Sequence, residues 1–185
     1  MMKRCIFVLA IAGIAFTSSS AHSQAMPGAS RPGLLQAGFT YSNGNSDELM
    51  QRITGGSIYA TFDFSEHLGV EFNATLLTVV TPQDLGQEMY MIGPRYVYRV
   101  ADRYEPYMKI QAGIGKMVAE EPYASVYPGT PGTYGAFSFG GGLDIKVPYN
   151  LTVRAINFDY YMWPGFQPHG LSPSVISVGV AYHIR

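Results

Sequence analysis

Charge is scarce in this chain, and cysteine is nearly absent. Only 14% of its 185 residues are Asp, Glu, Lys or Arg, which is low for a water-soluble domain. The one cysteine, Cys5, lies at the extreme N-terminus. That excludes disulfides and thiolate metal sites from the rest of the chain. No apolar run beyond the N-terminus is long enough for a spanning helix. The basic excess of a nucleic-acid binder is missing too, since the formal charge is −1.

The N-terminus carries the marks of a leader. Met1-Met2-Lys3-Arg4 is basic, Cys5–Thr17 is apolar, and Ser23 and Ala25 offer small residues to a signal peptidase. A signal peptide over residues 1–25 is expected, with cleavage after Ala25 and Ala21 as the second site. An uncleaved anchor is the alternative, but the apolar segment is short for a span. Cys5 opens that segment, whereas a lipoprotein cysteine would close it. Losing Lys3 and Arg4 takes the formal charge from −1 to −3.

Aromatic residues and glycine are plentiful instead, and apolar side chains come in alternation. Strands are predicted near 34–42, 57–64, 68–78, 88–98, 104–115, 134–146, 151–161 and 174–184. In the third, Val70, Phe72 and Leu76 oppose Glu71, Asn73 and Thr75. In the fifth, Met108, Ile110 and Ile114 oppose Tyr107, Lys109 and Gln111. Pro94 removes a ladder donor, so a bulge is expected there. The alternation loses phase at Ile156–Asp159, which predicts a second bulge. The links alternate short and long. Ser65–His67, Val100–Arg103 and Val147–Asn150 are tight, whereas the segments after Ser42, Thr78, Gly115 and Met162 are long and rich in Gly, Pro or polar residues. Eight strands with this rhythm predict an all-β fold, an eight-stranded antiparallel up-and-down transmembrane β-barrel over residues 26–185.

The polar face tells inside from outside. It gathers Asp63, Glu71, Asp144 and Asp159 with Arg95, Lys109 and Arg154, while the apolar face has almost no charge. A soluble lipocalin-like barrel reverses this arrangement. The charges are therefore expected in the interior, which in eight strands is just wide enough to be filled by side chains. Glu71 is expected to reach Arg95, Asp144 to reach Arg154, and Lys109 to take Asp63 or Asp159. Tyr41, Phe64, Tyr90, Tyr98, Tyr149, Tyr160, Tyr161, Trp163 and Tyr182 fall near strand ends, where interfacial girdles belong.

The segments YMIGPRYVYR (Tyr90–Arg99), EPYMKIQAGIG (Glu105–Gly115), FSFGGGLDIKV (Phe137–Val147) and LTVRAINFDY (Leu151–Tyr160) give the chain a family look. It resembles the OmpA-like/OmpX-like small outer-membrane β-barrel proteins. The resemblance covers most of the chain after the leader, and its motifs mark a barrel class rather than an activity. It implies that Arg95, Asp144, Arg154 and Asp159 lie inside. It also implies a place in the bacterial outer membrane, among lipid and lipopolysaccharide, reached through the periplasm with the barrel-assembly machinery. The end of the chain, Tyr182-His183-Ile184-Arg185, departs from the terminal aromatic usual in such barrels. No peptidoglycan-binding domain is expected after the last strand.

The polar links offer few groups for chemistry. His169 and Ser172 share one loop (QPHGLSP) and could form a base–nucleophile pair, but flanking prolines hold neither rigidly and no acid stands near in sequence. His67 and His183 have no second ligand at metal spacing. Gly140-Gly141-Gly142 sits within a strand and opens no helix, so it is no phosphate cradle. No enzyme activity, metal or cofactor is expected. The sequence favours a monomeric structural or surface-interaction barrel that binds no nucleic acid. A narrow channel and a lipid-modifying enzyme are the competing classes.

Overall fold

The computed structural model describes residues 34–45, 52–78, 85–100, 103–119, 132–166 and 169–184. Pro32–Arg185 forms one compact unit. The leader residues, including the cleavage site expected after Ala25, lie outside the described residues. Eight strands run in chain order: β1 (Leu34–Asn45), β2 (Ile53–Asp63), β3 (Leu68–Thr78), β4 (Leu85–Val97), β5 (Tyr104–Ala119), β6 (Gly132–Val147), β7 (Leu151–Met162) and β8 (Ser174–Ile184). Each pairs antiparallel with its sequence neighbours, and β1 closes the barrel on β8. Closure leaves no strand edge unpaired, as a hydrocarbon surround requires.

Several strands run past their sequence-predicted limits at the long-link end. Asn43 pairs with Thr54 and Lys116 with Thr133. Ladder pairing depends on backbone groups, so it continues after the apolar alternation stops. The bulge expected at Pro94 does not form. Ile92 faces Ala112 and Arg95 faces Lys109 in one unbroken register, and pairing to β5 lapses at Gly93 and Pro94 without an inserted residue. Proline lacks the donor, but the flanking rungs hold the register. The β7 irregularity lies one step earlier than the sequence suggests. Leu143 pairs with Ile156 and Asp144 with Arg154, which leaves Ala155 as the extra residue. Ala155 and Ile156 both turn outward, so the inward face changes from Thr152 and Arg154 to Asn157 and Asp159.

The outer wall is apolar. Phe72, Ile110, Phe139 and Val180 are exposed there, as are Tyr96, Tyr98, Tyr104 and Tyr182 nearer the short-turn end. Tyr149 and Asn150 take left-handed backbone conformations in the last tight turn, and Tyr149 is 89% exposed. Such a conformation is unusual for a bulky residue. Here it places an aromatic ring at the rim.

Candidate functional site

The inward residues form two layers. The first is ionic and lies on the short-turn side of the lumen. Glu71, fully buried on β3, accepts from Lys109 Nζ at 2.7 Å and from Arg154 Nη2 at 3.0 Å. Asp144 on β6 accepts from Arg95 Nη2 at 2.6 Å and from Arg154 Nε at 3.0 Å. Asp159 on β7 pairs with Lys109 Nζ at 3.1 Å and accepts from Asn157 Nδ2 at 2.7 Å. Arg95 Nε lies 3.8 Å from Glu71. Three carboxylates and three cations thus make one neutral cluster. Unpaired, a charge in so dry a space is driven to neutralise itself.

Aromatic rings flatten against the cations. The Arg154 guanidinium lies 3.7 Å from the Tyr59 ring centre, and that of Arg95 lies 4.3 Å from Tyr107. Tyr107 donates to Asn157 Oδ1 at 2.7 Å. Inward glycine makes this crowding possible: a Cβ on Gly140 would collide with the Asp159 carboxylate and press on Lys109. Gly140 is therefore space reserved for the Lys109–Asp159 pair, whereas a Cβ on Gly141 or Gly142 would meet the backbone of the neighbouring strands.

Of the seven residues marked from the sequence, Glu71, Arg95, Lys109, Asp144, Arg154 and Asp159 meet in this cluster. The pairing is broader than neighbouring strands alone suggest. Arg95 bonds Asp144 two strands away and only approaches Glu71, while Arg154 spans both acids. Asp63 stands apart at the short-turn mouth, half-buried, with no hydrogen-bond partner at Oδ1. Sequence reasoning missed a second ionic group at that mouth, where Glu105 accepts from Arg99 Nε at 2.9 Å and from Lys146 Nζ at 2.6 Å. Glu105 shares the inward phase of Tyr107 and Lys109, so period-two counting could have found it.

The second layer is apolar and closes the long-link end. Ile53, Leu77, Met89, Met91, Met117 and Val175 point inward there, packed with Tyr161, Trp163, Phe166 and Leu171. Trp163 and Leu171 exchange backbone bonds of 2.8 and 3.3 Å, which fold the segment after β7 over the mouth. Trp163 also stacks on Tyr134, their ring centres 6.2 Å apart. A Cβ on Gly115 would run into the Trp163 indole. This corrects the sequence-based girdle. Tyr161 and Trp163 are fully buried inside the barrel, because the β7 bulge puts Tyr161 in phase with Asp159. Between the layers, Ser42 Oγ lies 2.9 Å from both Ser57 Oγ and Ser177 Oγ. His169 is exposed and Ser172 half-buried on the segment beside the apolar layer.

The chain matches a family model described as outer membrane protein beta-barrel domain over residues 7–183. No curated protein sequence matches it. Solved structures share its fold at low identity. Neisserial surface protein A is 12% identical with a TM-score of 0.65, the match covering 83% of this chain and 97% of that one. OprG from Pseudomonas aeruginosa is 12% identical with a TM-score of 0.57, covering 83% and 96%. Ail of Yersinia pestis in complex with the heparin analogue sucrose octasulfate is 15% identical with a TM-score of 0.54, covering 82% and 97%.

Proposed function

The chain belongs to the outer membrane protein beta-barrel domain family and resides in the bacterial outer membrane, and from that premise we propose a closed, non-enzymatic barrel with a structural or surface-interaction role. It acts as a monomer. Residues 1–25 are removed after Ala25 during export, and the barrel-assembly machinery inserts the remainder. The long links face outward and contact lipopolysaccharide and outer-membrane lipid. The complex of Ail with sucrose octasulfate supports a surface role for a barrel of this shape.

The observation that carries the closed reading is the double filling of the lumen: a neutral ionic cluster backed by an apolar layer. Open aqueous lumens come with many more strands. The test is planar-bilayer recording on the purified protein beside mass spectrometry of lipid A from cells with and without the gene. No stable conductance and unchanged lipid A are expected. Stepwise conductance would establish a channel, and an altered lipid A would establish an enzyme.

A further inference from the structure

The outer wall carries a groove over β3–β6. Register sets Leu68, Tyr96 and Met108 side by side in one outward row, and Pro94, Ile110 and Phe139 in the next. All six are exposed. Between the rows runs a groove of about 380 Å³. Arg95, Lys109 and Gly140 form its floor, and both charged side chains turn away into the ionic cluster. Past Met108 the first row continues to Gly141, which has no side chain to close it. The groove is oblique. Leu68 opens β3 beside a short turn, and Tyr96 is one residue from the end of β4. Met108 is four residues into β5, and Phe139 is eight from the end of β6. The groove therefore starts at the short-turn rim and sinks toward the middle of the wall over three strand spacings, about 14 Å. At its rim His67 stacks on Tyr96 with ring centres 5.8 Å apart, and His67 Nδ1 donates to the Val97 carbonyl at 3.0 Å.

Hydrocarbon surrounds this wall. A gap against it would cost the lining side chains their dispersion contacts on one side. Water does not repair such a gap, because it needs polar partners and both rows are apolar. The filler at hand is a lipid tail. We propose that the groove holds one acyl chain of a glycerophospholipid from the periplasmic leaflet, its head group beside His67 and Tyr96. The leaflet follows from the slope of the groove. Short turns face the periplasm, and the groove meets the rim on that side. A lipopolysaccharide chain descends from the opposite rim and would meet only the deep end, at Phe139. The site needs an outer wall that faces lipid, and it holds whether or not the lumen conducts.

The experiment is paramagnetic broadening of amide signals from the ¹⁵N-labelled protein in phosphatidylcholine nanodiscs. A small share of the lipid carries a nitroxide near the end of one chain. Ile110 and Phe139 should broaden severalfold more than Phe39 and Ile58, an outward pair across the barrel at a similar remove from the short turns. With the nitroxide moved up the chain toward the glycerol, the excess should pass to Leu68 and Tyr96. Pro94→Phe fills the groove from its deep row and should bring both sets of amides level. Should that variant fail to refold, Met108→Phe narrows the groove from the other row and carries the same test. Even broadening around the parent would mean ordinary surrounding lipid and overturn the site. So would an excess that survives the filled groove, or one that moves toward the long-link end as the nitroxide nears the glycerol.

Discussion

Arg154 holds two carboxylates along the edge of its guanidinium and two aromatic rings against its faces. It donates to Asp144 through Nε and Nη2 and to Glu71 through Nη2, with Tyr59 and Tyr107 against its faces. Lysine offers a point charge without that fork, so Arg154→Lys should recover little of what Arg154→Ala loses. Removing one partner of a buried pair strands the other, at a cost of roughly 3–5 kcal/mol. Asp144→Ala alone leaves Arg95 and Arg154 competing for Glu71. The double variant Asp144→Ala/Arg154→Ala leaves Arg95 near Glu71 and restores neutrality. It should therefore cost less than the sum of its singles, by about 1–3 kcal/mol. Denaturant titration of the four proteins refolded in liposomes measures the cycle. Additive and small effects would mean that water already screens these charges.

Among the elements, β7 and the segment after it show where sequence legibility ends. Alternation in β3, β5 and β8 makes their faces legible from residue order, because a period of two has one reading when one face is apolar. Glu71 and Lys109 are legible for the same reason, whereas Asp159 lies beyond the change of phase on β7. Partner choice is not legible: Arg95 spans two strands to Asp144, and side-chain reach across a closed lumen has no trace in neighbour order. At Ala155 one extra residue resets the phase, so Tyr161 and Trp163 do not join the outer girdle that their place near a strand end suggests. Pro94 misled in the opposite direction, since a missing donor can be absorbed without a bulge. Trp163 is the only tryptophan in the chain, so its fluorescence reports on this element alone. Its emission should be blue-shifted, and brominated phospholipids should fail to quench it, because the indole packs inside the barrel. Gly170 holds the bridge with φ at 81°, where a side chain is strained. Gly170→Ala should loosen the segment by about 1 kcal/mol and raise quenching by acrylamide. Strong quenching of the parent by brominated lipid would return Trp163 to the outer wall.

For the molecule as a whole, two unlike layers in series give a lumen whose closure does not depend on either alone. The ionic layer is rigid because each member has more than one partner. It is also a place where water would enter once charges are exposed. The apolar layer has no such weakness, since truncating one side chain leaves a dry cavity rather than a hydrated one. The consequences of the two kinds of damage should therefore differ until they are combined. Asp144→Ala/Arg154→Ala removes part of the ionic layer yet leaves Trp163 and the methionines across the other end. Trp163→Ala thins the apolar layer yet leaves the ion pairs. Neither protein should conduct in planar bilayers. The triple variant Asp144→Ala/Arg154→Ala/Trp163→Ala removes bulk from both layers along one side of the lumen, around β6 and β7, and small, stepwise conductance is expected from it alone. Trp163→Ala deletes a large buried side chain and should also cost about 3–5 kcal/mol of stability, so the recordings need protein first shown to be folded by its heat-modifiable migration in gels. Conductance from Trp163→Ala by itself would place the whole seal in the apolar layer. Conductance from the ionic double variant would place it in the charges.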